Sequence, residues 1–115
     1  MAKPAPRLDS HTLPEILVQD IKAVALRVSP GAEIVLFGSR ARGDARPESD
    51  YDLLFLAQQP LTPMQQETLN DALYEIELRH GIVISSIIID RSRWETPRHR
   101  VTPLHQHIDR EGIVL

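Results

Sequence analysis

Most of the side chains in this chain whose types and spacing could do chemistry lie between residues 38 and 52. Gly38-Ser39-Arg40-Ala41-Arg42-Gly43 follows the apolar run Ile34 to Phe37, and Asp50-Tyr51-Asp52 opens a second apolar run. A Gly-Ser turn offers backbone N–H groups and a hydroxyl to an anion. Gly38, without a Cβ, lets phosphate oxygens approach the main chain. Arg40 and Arg42 would add positive charge to a triphosphate. In a strand, side chains two apart share a face about 6 to 7 Å apart. Asp50 and Asp52 would therefore project together and hold one divalent ion, or clamp a pair. Magnesium suits such a pair, because it takes oxygen ligands and usually only one or two carboxylates from the protein. Attack on a nucleoside triphosphate needs both halves: phosphate charge neutralised, and attacking and leaving oxygens held in line.

Singly, these pieces say little. Most Asp-x-Asp pairs are strand-end or loop carboxylates, an isolated Gly-Ser carries no information, and three arginines near a loop are usually solvated. Their joint placement is informative because the Gly-Ser ends one apolar strand and the Asp pair starts the next. If the two strands are antiparallel neighbours, phosphate cradle and carboxylates meet. Tyr51 then points to the other face, into packing.

The elements that must position this site follow from periodicity. Ile16, Leu17, Ile21, Val24, Ala25 and Val28 recur at helical spacing and predict an amphipathic helix over 13–28, with Thr12 as N-cap and Ser29-Pro30-Gly31 as its stop. Ile34 to Phe37 predicts a buried strand, Ser39 to Arg42 one helical turn, and Tyr51 to Ala57 a second strand. A helix is expected from about Thr62 to Arg79, with Leu69, Leu73, Ile76 and Leu78 apolar and Gly81 closing it. Ile82 to Ile89 is β-branched and nearly all apolar, which predicts a strand buried on both faces. From Arg91 the tail is basic, then helical around Pro103 to Arg110, with Ile113-Val114-Leu115 packing back onto the body. Met1 to Ser10 reads as a frayed arm. The chain is thus expected to be a single domain over residues 1–115, with residues 1–11 flexible.

Composition sets the outer bounds. The 115 residues include no cysteine, 42% are hydrophobic, and the net charge is −3. No disulfide or thiolate metal site is possible, so a cytoplasmic location is the default. The apolar stretches are too short to span a bilayer, and no signal-peptide core follows Lys3 and Arg7. The negative charge argues against nucleic acid as a direct ligand.

Gly38-Ser39-Arg40-Ala41-Arg42-Gly43 followed by Ser49-Asp50-Tyr51-Asp52-Leu53 resembles the nucleotidyltransferase superfamily of DNA polymerase β and kanamycin nucleotidyltransferase. It looks closest to the stand-alone minimal nucleotidyltransferases, and the similarity extends loosely through Trp94 to the ending Glu111-Gly112-Ile113-Val114-Leu115. The resemblance implies a polymerase β-like α/β fold with a small mixed sheet flanked by helices. It also implies magnesium-dependent transfer of a nucleoside monophosphate from ATP or another nucleoside triphosphate, with one or two metal ions. Many minimal members are paired with a helical HEPN-domain RNase toxin, which they silence, some by transferring AMP to a tyrosine. By that resemblance Asp50 and Asp52 are catalytic metal ligands, and Gly38 and Ser39 bind phosphate.

The family usually places a third carboxylate early in the third strand. Here that position falls on Ser85, or on Ser86 if the register slips by one. Asp90 lies roughly 13 to 17 Å further along, too far to share the ion, and more naturally caps the next segment. Serine is a poor general base and brings no charge. Nucleotide binding is therefore expected to survive more readily than turnover. Three functions remain in view: transfer of AMP to a toxin partner, neutralisation of that partner by contact alone, and transfer to a small molecule such as an aminoglycoside. A homo-oligomer could supply a missing pocket wall.

Other residues invite less. His99, His105 and His107, with Asp109, suggest zinc, but helical residues two apart face different sides. The run Arg91, Arg93, Arg98, His99 and Arg100 reads as charged surface, Trp94 as a packing anchor for the tail, and Asp44 and Glu48 as counter-charges in the arginine loop.

Overall fold

The computed structural model describes residues 13–115 together with the backbone of Lys3 and Pro4. The Thr12 cap and the rest of the expected arm lie outside the described residues. The elements in order are β1 (Lys3–Pro4), α1 (Glu15–Val28), β2 (Glu33–Phe37), α2 (Ser39–Arg42), β3 (Tyr51–Ala57), α3 (Pro63–His80), β4 (Ile84–Asp90), α4 (Arg91–Trp94), α5 (Pro97–Arg100), α6 (Pro103–Glu111) and β5 (Ile113–Val114).

One mixed sheet carries everything, in the order β1-β5-β2-β3-β4. β2 runs antiparallel to β3, and β3 runs parallel to β4. The short β5 lies antiparallel to β2 on its other side, and β1 joins β5 in parallel. The expected arm therefore contributes an edge strand at Lys3–Pro4, where Pro4, with no N–H to offer a ladder, is tolerated.

Alternation along the strands divides the core in two. Ile34, Leu36, Tyr51, Leu53 and Phe55 face α1 and α3, which bring Leu17, Ile21, Val24, Leu69, Leu73 and Ile76. Val35, Leu54 and Leu56 face the opposite way, onto Trp94 and Ile108 of the C-terminal helices. α3 opens with a reciprocal Thr62–Gln65 capping box and ends at Gly81. Asp20 of α1 accepts bonds from Arg79 at 3.2 Å and His80 at 2.7 Å, tying the two helices together.

Three expectations need correction. α1 starts at Glu15 rather than residue 13. Ile16 and Leu78, expected in the core, are 63% and 66% exposed because they fall off the buried stripes of their helices. The third long strand is not buried on both faces: β4 is the sheet edge, and Ser85 and Ser86 are exposed. Its isoleucines still serve both cores, Ile84 and Ile88 on one side and Ile87 and Ile89 on the other.

Asp90 ends β4 and caps α4, as expected. Its carboxylate accepts from the Ser92 hydroxyl, from Arg93 N at 3.1 Å and from Arg93 Nε at 2.6 Å. These bonds, the Ser92 hydroxyl first, hold its pKa down to about 2. A depressed carboxylate contributes stability that is complete above its ordinary value of 3.8 and is lost as pH falls towards 2. Asp90→Ala should lower Tm by about 5 °C at neutral pH. The difference from wild type should shrink in melts below pH 4, in the window those values define.

Candidate active site

The register of the β2–β3 pair brings the two halves of the motif together. Phe37 pairs with Asp52, so Gly38 leaves the sheet beside the Asp52 carboxylate. The approach is close enough that a Cβ on Gly38 would lie 2.1 Å from Asp52 Oδ2. Gly38 has φ +75° and ψ −158°, a conformation essentially confined to glycine. The chain then forms the single turn α2, and Gly43, in the left-handed region, reverses it towards the loop that returns to Asp50.

Alternation sets Asp52 on the same face as Leu54 and Leu56, under the C-terminal helices. Asp50, just before β3, continues that alternation and is exposed. Tyr51 points to the opposite face and is buried. Asp52 is partly buried, and its pKa is raised, first by that burial, then by the Asp50 charge. Arg42 opposes the shift and Glu111 adds to it.

The two arginines differ in use. Arg40 places its guanidinium 4.2 Å over the Tyr51 ring and donates from Nη2 to the carbonyls of Pro47 at 3.1 Å and Ser49 at 3.0 Å. It is committed to holding the loop that delivers Asp50. Arg42 stays at the mouth of the site, bonded from Nε to Asp44 at 3.3 Å and from Nη1 to Glu111 at 3.2 Å.

Glu111 was not singled out by the sequence reading. Its Oε1 accepts from Gly38 N at 3.2 Å while both its oxygens meet Arg42. The signal was faint: an acid closing a helix, where the macrodipole favours cations.

On the other side of Asp52, the parallel register pairs Asp52 with Ser85 and Leu53 with Ser86. Ser85 thus shares the Asp52 face at the sheet edge, and Asp90 pairs with Ala57, at the far end of β3.

A magnesium ion fits this donor set. Two like-charged carboxylates lie together, one with its proton affinity raised, and only Arg42 among the causes of that shift opposes it. Among the described residues no three acidic or histidine side chains are grouped to cage an ion. Asp50 and Asp52 would thus hold it with oxygens from the nucleotide completing the shell. Of the histidines, His105 is buried, stacked on Trp94 with ring centroids 4.2 Å apart and 3.2 Å from Asp109, whereas His107 is exposed. A cavity of about 450 Å³ at the opposite end of this face, between Glu33, Trp94, Arg100 and His105, contains none of the motif residues. Among the described residues no helix is long and apolar enough to cross a membrane.

The profile of the nucleotidyltransferase domain matches residues 18–103. A Methanocaldococcus jannaschii protein that bears the name of a protein adenylyltransferase is 36% identical over 59 residues, covering 51% of this chain and 60% of its own. A Haemophilus influenzae protein named in the same way is 31% identical over 58 residues, covering 50% and 51%. The matched segment thus spans only about half the length of these curated relatives. A solved structure described as a minimal nucleotidyltransferase superposes with TM-score 0.57 at 28% identity, covering 93% of this chain and 100% of that one. A crystal structure of a toxin–antitoxin with AMP-PNP superposes with TM-score 0.58 at 20% identity, covering 84% and 69%, and shares the fold.

Proposed function

Because this chain belongs to the nucleotidyltransferase domain family, we propose that it transfers a nucleoside monophosphate, AMP from ATP, to a protein partner. The observation that carries this reading is the close approach of Gly38 to the Asp52 carboxylate, where a Cβ would fall 2.1 Å from Oδ2. It supports reading the turn and the acid pair as parts of one site. The Gly38 and Ser39 turn and Arg42 would hold the phosphates, Arg40 would fix the loop, and Asp50 and Asp52 would hold magnesium. The chemistry such an ion supplies is neutralisation of charge on the triphosphate. The acceptor oxygen bonds to the α-phosphorus, the bond to the bridging oxygen breaks, pyrophosphate leaves, and the hydroxyl proton passes to solvent.

The adenylyltransferase names of the two relatives support AMP as the group transferred. The toxin–antitoxin neighbour supports a toxin as acceptor, and we take a HEPN-type RNase as its class. Incubation with α-labelled ATP, magnesium and the protein encoded by the neighbouring gene should label that protein. Partner that is inhibited yet unlabelled would favour a second reading, neutralisation by contact.

Ser85 is the observation behind that second reading. It stands beside Asp52 where an acid would accept a proton, and it is neutral. Ser85→Asp should raise the transfer rate by about a hundredfold, the lower end of what a positioned general base contributes. An unchanged rate in a folded Ser85→Asp protein would remove that position from the chemistry.

A further inference from the structure

The seat proposed for phosphate already holds an anion, and that anion belongs to the chain. Antiparallel pairing sets Leu36 opposite Ile113, so continuing the register by two residues brings Glu111 opposite Gly38. There the Glu111 carboxylate takes the Gly38 N–H at 3.2 Å and bridges to Arg42 Nη1 at 3.2 and 3.3 Å. A backbone N–H and a guanidinium converging on two carboxylate oxygens are the donor set a phosphate oxygen pair would use. The Glu111 side chain is 18% exposed and that of Arg42 46%, so the pair sits at the rim of the site with the carboxylate as its more covered end. It also sets a negative charge at the last residue of α6, against the helix dipole.

We propose that Glu111 determines nucleotide affinity by competing with the triphosphate for the Gly38 N–H and Arg42. The inference rests on the reading of the Gly38 turn as a phosphate seat. Arg42 can serve two anions, as it already serves Asp44 and Glu111, but the Gly38 N–H is a single donor, so a phosphate oxygen that takes it displaces the Glu111 carboxylate and frees the end of α6 and the start of β5. Glu111 does not substitute for the acid missing at Ser85. Its oxygens are turned to Gly38 and Arg42, and it forms no three-acid group with Asp50 and Asp52 among the described residues.

The test is calorimetric titration with magnesium and AMP-PNP. Glu111→Gln and Glu111→Ala, each checked for wild-type circular dichroism, should bind about tenfold tighter than wild type, as expected when a competing resting state is removed. Asp52→Asn should bind far more weakly. Equal or weaker binding in both Glu111 variants, with binding still lost in Asp52→Asn, would overturn the competition and leave the phosphate seat standing. If wild type and the Glu111 variants all fail to bind, the seat and the competition fall together. In wild type alone, saturation with the nucleotide should speed amide hydrogen exchange in residues 111–114. Unchanged or slower exchange there would also overturn the proposal.

Discussion

Asp52→Asn and Asp50→Asn should each reduce the proposed nucleotidyl transfer by about a thousandfold, the scale of losing a principal charge-stabilising group. The amide is nearly isosteric, so the fit against Gly38 is kept while the charge that would hold magnesium is gone. For Asp52 the loss should come with a gain in stability. Burial and the neighbouring Asp50 raise its pKa above 3.8, so the folded state binds a proton more tightly than the unfolded chain does. A raised carboxylate costs stability at any pH above its folded value. That cost shrinks as pH falls through the raised value and is gone below 3.8. At neutral pH, Asp52→Asn should therefore melt at a higher temperature than wild type despite its loss of transfer. A variant that lost both stability and activity would indicate a structural role for Asp52.

Gly38→Ala should also be damaging, for a different reason. The new methyl carbon would meet Asp52 Oδ2 at 2.1 Å, and φ +75° with ψ −158° is a conformation that L-residues avoid. The backbone cost alone is about 1–3 kcal/mol. Relief requires either Asp52 to swing off its face or the turn to lift from the sheet, and either movement separates carboxylate from phosphate seat. The expected result is a Tm several degrees lower and transfer reduced about a hundredfold or more. Gly43→Ala is the control: its Cβ meets nothing within 4 Å, although φ +84° strains the turn. It should destabilise with a much smaller loss of activity.

What was legible in the chain was local. The Gly-Ser turn after one apolar run and the Asp pair before the next could meet only if the two strands were antiparallel neighbours, and Phe37 does pair with Asp52. The family resemblance pointed to Ser85, or to Ser86 one residue on, and the parallel register sets Ser85 opposite Asp52. The edge position of β4 was not. A β-branched run with helices over both faces reads alike in the middle of a sheet and at its rim, and only the absence of a neighbour beyond Ser85 and Ser86 separates the two. Glu111 was hidden for a related reason. Its position depends on β5, a strand of 2 residues whose pairing with β2 no periodicity announces. Arg40 and Arg42 looked equivalent, two apart on one turn. Tyr51 and the carbonyls of Pro47 and Ser49 claim the first, which leaves the second for the site mouth.

The central claim is spatial: the Gly38 turn and the Asp50 and Asp52 carboxylates form one seat for a metal-loaded triphosphate. Anomalous diffraction from crystals grown with manganese and AMP-PNP tests it most directly. The account predicts a manganese peak in contact with both carboxylates and with phosphate oxygens that rest on the Gly38 N–H. A manganese peak away from Asp50 and Asp52, or an ordered triphosphate bound elsewhere on the molecule, would contradict it.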